Sequence, residues 1–215
     1  CADYTNCAEL VVKPLVDVEV SAACPTTCVE GAGDLTLCPV ITIKGSSDPY
    51  PGPVTCAWLK DGMPIGPSGK YEINSACCLT INAYTSDDAA TYTVEVTGAC
   101  NTASDSVDTF PLLPDITIQV TQTSGEPGDC LDSSFLLEVP LLPPVNGLYY
   151  RWYKCDQLVK EGPQANTLEL VNVTEADANC AYRVEVSDEC CEKEDVATLP
   201  CLPGLDLFNV ADKNL

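Results

Sequence analysis

The segment Leu79–Val96, LTINAYTSDDAATYTVEV, decides the fold. Leu79 and Ile81 alternate with polar residues, as one face of a β-strand does. The polar corner Thr85-Ser86-Asp87-Asp88 interrupts that pattern, and Tyr92, Val94 and Val96 resume it. The arrangement occurs again at Leu168–Val186, LELVNVTEADANCAYRVEV, with one extra residue around Cys180. Each copy follows a tryptophan, Trp58 in VTCAWLK and Trp152 in LYYRWYK, and each tryptophan is followed two positions on by a lysine, Lys60 or Lys154. The same order occurring twice means two copies of one domain.

Strand, aspartate-containing corner, tyrosine, strand: this order resembles the E–F corner of an immunoglobulin-like, I-set-like domain, with Trp58 and Trp152 in the place of that family's buried strand-C tryptophan. The resemblance implies an all-β fold, two tandem antiparallel β-sandwiches, with Trp58, Tyr92, Trp152 and Tyr182 as core markers and the tyrosine hydroxyls anchored to upstream backbone. Domains of this kind occur in extracellular surface fibres and adhesins. One departure is visible. The family's disulfide joins strand B to a strand-F cysteine two residues after the corner tyrosine, but those positions hold Val94 and Val184. Apolar contact between these valines and the tryptophans is expected to replace it, and the cysteines must follow another scheme near strand ends and loops.

A second repeat sets the boundaries. Pro14 and Pro114 each precede an alternating strand, and Pro203 does so more loosely, at spacings of 100 and 89 residues. Proline suits the first residue of a strand and stiffens a junction. The chain of 215 residues therefore divides into domains over 14–113 and 114–202, expected end to end as a short rod, with additional segments at 1–13 and 203–215. In the first domain, strands are expected at 15–21, 34–43, 54–60, 78–83, 91–98 and 105–112, with a turn at Asp61-Gly62. In the second they are expected at 115–122, 134–139, 148–154, 167–173, 181–187 and 194–200.

An apolar fraction of 46% is enough for two cores. Thirty-two acidic against ten basic residues give a net charge of −22, which argues against nucleic acid or an anionic membrane as partner. A solvated acidic surface accounts for this charge, and cation binding is the sharper alternative. Fifteen cysteines indicate an oxidising, extracellular or cell-surface compartment, and their odd number leaves at least one free or paired outside the chain. No apolar run is long enough to span a bilayer.

Topology restricts the pairing without determining it. Cys56 and Cys100 share inward parity at one end of the first sandwich, which makes Cys56–Cys100 the leading expectation there, and Cys155–Cys180 its weaker counterpart in the second. Cys24 and Cys28 flank the turn CPTTC, and the doublets Cys77-Cys78 and Cys190-Cys191 can each send bridges in two directions. Cys1, Cys7, Cys190, Cys191 and Cys201 are candidates for linkage between subunits.

Without histidine, CxxC or GxSxG, neither a zinc site nor a catalytic nucleophile is expected, so the chain reads as no enzyme and no cofactor is required. Calcium is a candidate at Asp87-Asp88, at Asp105 with Asp108, and at Glu192-Glu194-Asp195, although none has a calcium-loop spacing. Asn172-Val173-Thr174 reads equally as a glycosylation sequon or as a turn.

Residues 1–13 resemble the last strand of a preceding domain, with Cys1 matching Cys190, and 203–215 begins like the first strand of a following one. Two arrangements fit: a window of a longer tandem array, or a subunit whose terminal strands complete neighbours. Coincidence of short apolar segments and a lipidated Cys1 are the other readings. The functional expectation is an extracellular filament or surface-fibre unit whose partners are copies of itself or flanking like domains. The alternative is an adhesin or receptor ectodomain that binds an unknown surface ligand through the loops at 45–53 and 101–106.

Overall fold

The computed structural model describes residues 13–140 and 147–201. It divides into two compact units, Cys1–Leu112 and Leu113–Leu215. The terminal strands expected at 1–13 and 203–215, with Cys1 and Cys7, lie outside the described residues apart from Lys13.

Unit 1 contains β1 (Val16–Val20), β2 (Leu35–Leu37), β3 (Pro39–Ile43), β4 (Thr55–Lys60), β5 (Met63–Ile65), β6 (Tyr71–Ile73), β7 (Leu79–Ile81), β8 (Thr91–Thr97) and β9 (Thr102–Asp108). One layer has the order β2-β7-β6, the other β5-β4-β8-β9, and β1 pairs with β3. The strand expected over 34–43 is thus broken at Cys38, its halves serving different ladders. β5 and β6 were not anticipated. They are three residues each and too short to display a period.

Unit 2 contains β10 (Gln119–Ser124), β11 (Ser134–Glu138), β12 (Tyr149–Lys154), β13 (Gln157–Gly162), β14 (Thr167–Leu170), β15 (Ala181–Ser187) and β16 (Glu192–Thr198). Its layers are β10-β11-β14 and β13-β12-β15-β16. The hairpin β4–β5 turns through Asp61 (φ 49°) and Gly62 (φ 76°), and β12–β13 through Cys155 (φ 44°) and Asp156 (φ 62°). Two successive left-handed residues make the tight turn that matches strand twist.

The expected core markers occupy equivalent places. Trp58, Tyr92, Trp152 and Tyr182 are fully buried, with Val94 opposite Trp58 and Val184 opposite Trp152 in the ladders. The Trp58 indole donates to the Cys77 carbonyl at 2.8 Å, and that of Trp152 to the Ala165 carbonyl at 2.6 Å. Buried indoles need such an acceptor. Tyr92 donates its hydroxyl to the Asp88 carbonyl at 2.8 Å, and Tyr182 to that of Asp177 at 3.0 Å. These anchors close a single 3-10 turn, Ser86–Asp88, and its counterpart, the one-turn helix α1 (Glu175–Ala178). Each is capped by a threonine–aspartate box, Thr85 with Asp88 and Thr174 with Asp177. Lys60 donates to the Asp87 carbonyl at 3.2 Å and Lys154 pairs with Asp177, so the lysine after each tryptophan reaches its corner.

The last strand of each unit departs from expectation. β9 begins at Thr102 and β16 at Glu192, earlier than 105 and 194. Their inward positions include Asp105 and Asp195, which hide the apolar alternation. Each carboxylate accepts from a backbone amide: Asp105 from Val20 of β1 at 2.8 Å, Asp195 from Ile118, the residue before β10, at 2.7 Å. Asn101 accepts from the Val16 amide at 2.7 Å, with the same sequence offset of 85 as Val20–Asp105, so β1 runs parallel to β9. In unit 2, Lys193 completes the equivalent edge by donating to Asp115 at 2.8 Å.

Candidate functional site

The disulfides dominate the chemistry of both units. Cys78 bonds Cys38 at the break between β2 and β3, with a Cα–Cα distance of 4.2 Å, while Cys77 bonds Cys56 of β4 with a Cα–Cα distance of 5.7 Å. Adjacent cysteines reach different strands because Cys77 is left-handed (φ 67°) and breaks the extended run before β7. Asn74 fixes this turn by accepting from the amides of Ala76 (2.9 Å) and Cys78 (3.0 Å).

The expected pair Cys56–Cys100 is therefore corrected. Cys56 lies opposite Val96 and faces inward, where Cys77 of the other layer is its neighbour. Cys100 lies on the connection from β8 to β9, beyond Thr97, where strand parity no longer applies; it is exposed and free. Cys56–Cys77 crosses between layers beside Trp58, in the role that the absent strand-B to strand-F bridge would have had.

In unit 2, Cys155 bonds Cys180 (Cα–Cα 5.1 Å) and Cys130 bonds Cys201 (Cα–Cα 5.4 Å). The assignment of Cys201 to subunit linkage is corrected, because the end of the last strand returns to the β10–β11 connection. Cys190 and Cys191 are likewise disulfide-bonded within the chain, as are Cys24 and Cys28.

Among the candidate calcium carboxylates, those of Asp88, Asp105, Asp108 and Asp195 are engaged by protein groups. Asp88 is buried, accepts from the amide (2.8 Å) and hydroxyl (3.0 Å) of Thr85, and pairs with Lys70 at 2.5 Å. Burial raises its pKa, but Lys70 and Thr85 together outweigh this and hold it below the ordinary carboxylate value. Asp105 and Asp195 hold the Val20 and Ile118 amides, and Asp108 accepts from the Thr91 hydroxyl at 2.6 Å. A depressed native pKa means the unfolded chain binds more protons in acid. Asp88 thus stabilises unit 1 fully above the unfolded value of about 3.9 and loses this contribution as pH falls through the lower folded value. Asp88→Asn should lose less stability than wild type between pH 6 and pH 3 in urea titrations followed by Trp58 fluorescence. Equal losses in both proteins would refute this role.

The two expected ligand loops are partly drawn into the fold. The 45–53 loop turns Tyr50 back onto the protein, where its hydroxyl accepts from the Ala99 amide at 3.1 Å. Residues 102–106 are not a loop but part of β9. Asn172 is exposed, in a left-handed conformation (φ 53°), while Thr174 caps α1.

A feature missed in the sequence is the outer face of the β13-β12-β15-β16 sheet. Both arginines of the chain, Arg151 and Arg183, lie on it. Arg151 is 5.5 Å from the Tyr149 ring centre and Arg183 is 4.0 Å from that of Tyr153. Glu185 accepts from the Tyr153 hydroxyl at 2.8 Å and pairs with Arg183, and Arg151 is 3.9 Å from both Glu185 and Glu192. Burial raises the Glu185 pKa, but the bonds from Tyr153 and Arg183 and the charges of both arginines bring it below the usual range. The alternation Tyr149, Arg151, Tyr153 was the available signal, overshadowed by Trp152 between them. The corresponding face of unit 1 carries hydroxyl pairs instead, Thr93–Ser106 and Thr97–Thr102, each at 2.8 Å.

The layers, the corner tyrosines and the buried tryptophans make both units immunoglobulin-like sandwiches. No protein-family model and no curated protein matches the chain. Among solved structures it is similar to murine CEACAM1b, with 17% identity, TM-score 0.48, and coverage of 79% of this chain and 92% of that one. The titin I-band fragment I67–I69 is similar at 18% identity and TM-score 0.44, over 76% of this chain and 58% of that one. The N-terminal eight-domain fragment of Down Syndrome Cell Adhesion Molecule is similar at 15% identity and TM-score 0.48, over 77% of this chain and 25% of that one. The disulfides belong to an oxidising, extracellular-type environment. No helix among the described residues is long and apolar enough to cross a membrane.

Proposed function

We propose that this chain is a mechanical unit of an extracellular filament or surface fibre, in series with copies of itself or with flanking like domains. The observation that carries the reading is the placement of the bridges. Cys38–Cys78, Cys56–Cys77, Cys130–Cys201 and Cys155–Cys180 each lie within one unit, and the last strand of unit 2 is covalently tied at its exit. This suits a module that must persist outside the cell without unfolding. The exposed thiol of Cys100 is available for linkage to a neighbour, and a glycan on Asn172 would project from the α1 corner.

Electron microscopy of native material, with sizing in the presence and absence of reductant, tests this reading. Filaments with a repeat near one or two domain lengths are expected, and a monodisperse monomer under both conditions overturns it. The arginine–tyrosine face of unit 2 favours the second reading, an adhesin or receptor ectodomain. Stoichiometric binding of one soluble ligand, abolished by Arg151→Ala with Arg183→Ala, would transfer the assignment to it.

A further inference from the structure

We infer that Cys130–Cys201 is a covalent tension shunt, which removes almost all of unit 2 from the path of a pulling force and releases it on reduction. This deepens the mechanical reading above by naming the bond that limits extension. The argument is one of connectivity. Cys130 lies between β10 and β11, and Cys201 follows β16. All of β11, β12, β13, β14, β15 and β16, with Trp152 and Tyr182, are enclosed in the loop that this bond closes.

Tension applied across unit 2 enters before β10 and leaves after Cys201. It runs along the chain to Cys130, crosses the disulfide, and exits. Only the segment 113–130, about 18 residues, can be drawn out, so the greatest lengthening is roughly 6 nm at about 3.6 Å per extended residue. The 71 residues from Cys130 to Cys201 represent a further ~25 nm that the bond withholds. Cys155–Cys180 is nested inside this loop. If only the outer bond is removed, the 25 residues between that inner pair stay closed, leaving at most 46 that can extend, roughly 17 nm, less whatever the bonds of Cys190 and Cys191 withhold.

The anchorage of Cys130 is built rather than incidental. Its residue is buried, and the connection that carries it is gathered around one side chain. The Gln122 amide nitrogen reaches the carbonyls of Glu126 at 2.8 Å and Asp129 at 3.0 Å, and Ser133, fully buried, donates its hydroxyl to Asp129 O at 2.6 Å. Gly125 (φ 94°) must be glycine here, since a Cβ would lie 1.9 Å from the Ser133 hydroxyl oxygen. The connection therefore holds Cys130 in place for the end of the last strand.

The experiment is single-molecule stretching of the full chain between two marker domains. Oxidised wild type should yield no more than roughly 6 nm from unit 2. Cys130→Ala with Cys201→Ala should add up to roughly 17 nm. Because that variant could fail to fold, reductant is also applied to folded wild type held under load, and a further extension should then follow. Equal extension of oxidised wild type and the variant, or no gain on reduction, overturns the shunt. Neither outcome depends on filament formation: a chain that proves monomeric can still show the shunt, and a filament can form without it.

Discussion

Replacing Trp152 with alanine will cost unit 2 about 3–5 kcal/mol, the usual penalty for deleting a buried large aromatic. The indole is fully buried opposite Val184, and it satisfies the carbonyl of Ala165. Truncation leaves a cavity and an unpaired acceptor together. In unit 1 the neighbourhood of Trp58 also holds the Cys56–Cys77 bridge. Trp152→Phe separates the two effects. It keeps most of the packing and loses the hydrogen bond, for about 1–3 kcal/mol. Urea unfolding monitored by circular dichroism provides the measurement, and a loss below about 1 kcal/mol for the alanine variant would sink the assignment of Trp152 as the centre of its core.

The second large effect is expected at the Cys77-Cys78 doublet. In the chain-entropy picture, opening the 21-residue separation of Cys56–Cys77 costs about 3 kcal/mol and the 40-residue separation of Cys38–Cys78 about 4 kcal/mol. The first loop lies inside the second, so losing both costs less than the sum. Even so, the total is comparable with the 5–15 kcal/mol that holds an ordinary domain together. Cys56→Ala with Cys77→Ala should therefore lower the urea midpoint of unit 1 markedly, and the four-alanine variant should be close to unfolded at 37 °C. Trp58 fluorescence reports the change, since its indole donates to Cys77. An unchanged midpoint in the four-alanine variant would show that the apolar core alone holds the unit.

The legible parts of the sequence were those governed by local periodicity. Leu79, Ile81, Tyr92, Val94 and Val96 alternate because a strand turns successive side chains to opposite faces, and all five are fully buried. The corner between them is readable because threonine and aspartate cap its turn from within three residues. Where one side of a strand is sealed by a distant polar group, the alternation disappears. Asp105 sits at an inward position of β9 because the Val20 amide, 85 residues away in sequence, supplies its partner. The short β5 and β6 failed for a different reason, being too brief to show any period.

Two sandwich domains, their corner tyrosines and their core tryptophans followed from the chain alone, because these depend on contacts that repeat every two residues or close within one turn. The cysteine scheme did not. Parity along a strand placed Cys56 inward correctly, but only the juxtaposition of two layers brought Cys77 to it, and only the path of the hairpin carried Cys100 out to solvent. Likewise, Cys201 meets Cys130 because β16 ends where β10 turns into β11, a closure across 71 residues that no local pattern encodes. A bridge is decided by which strand ends coincide in space, and that is a property of the packed layers.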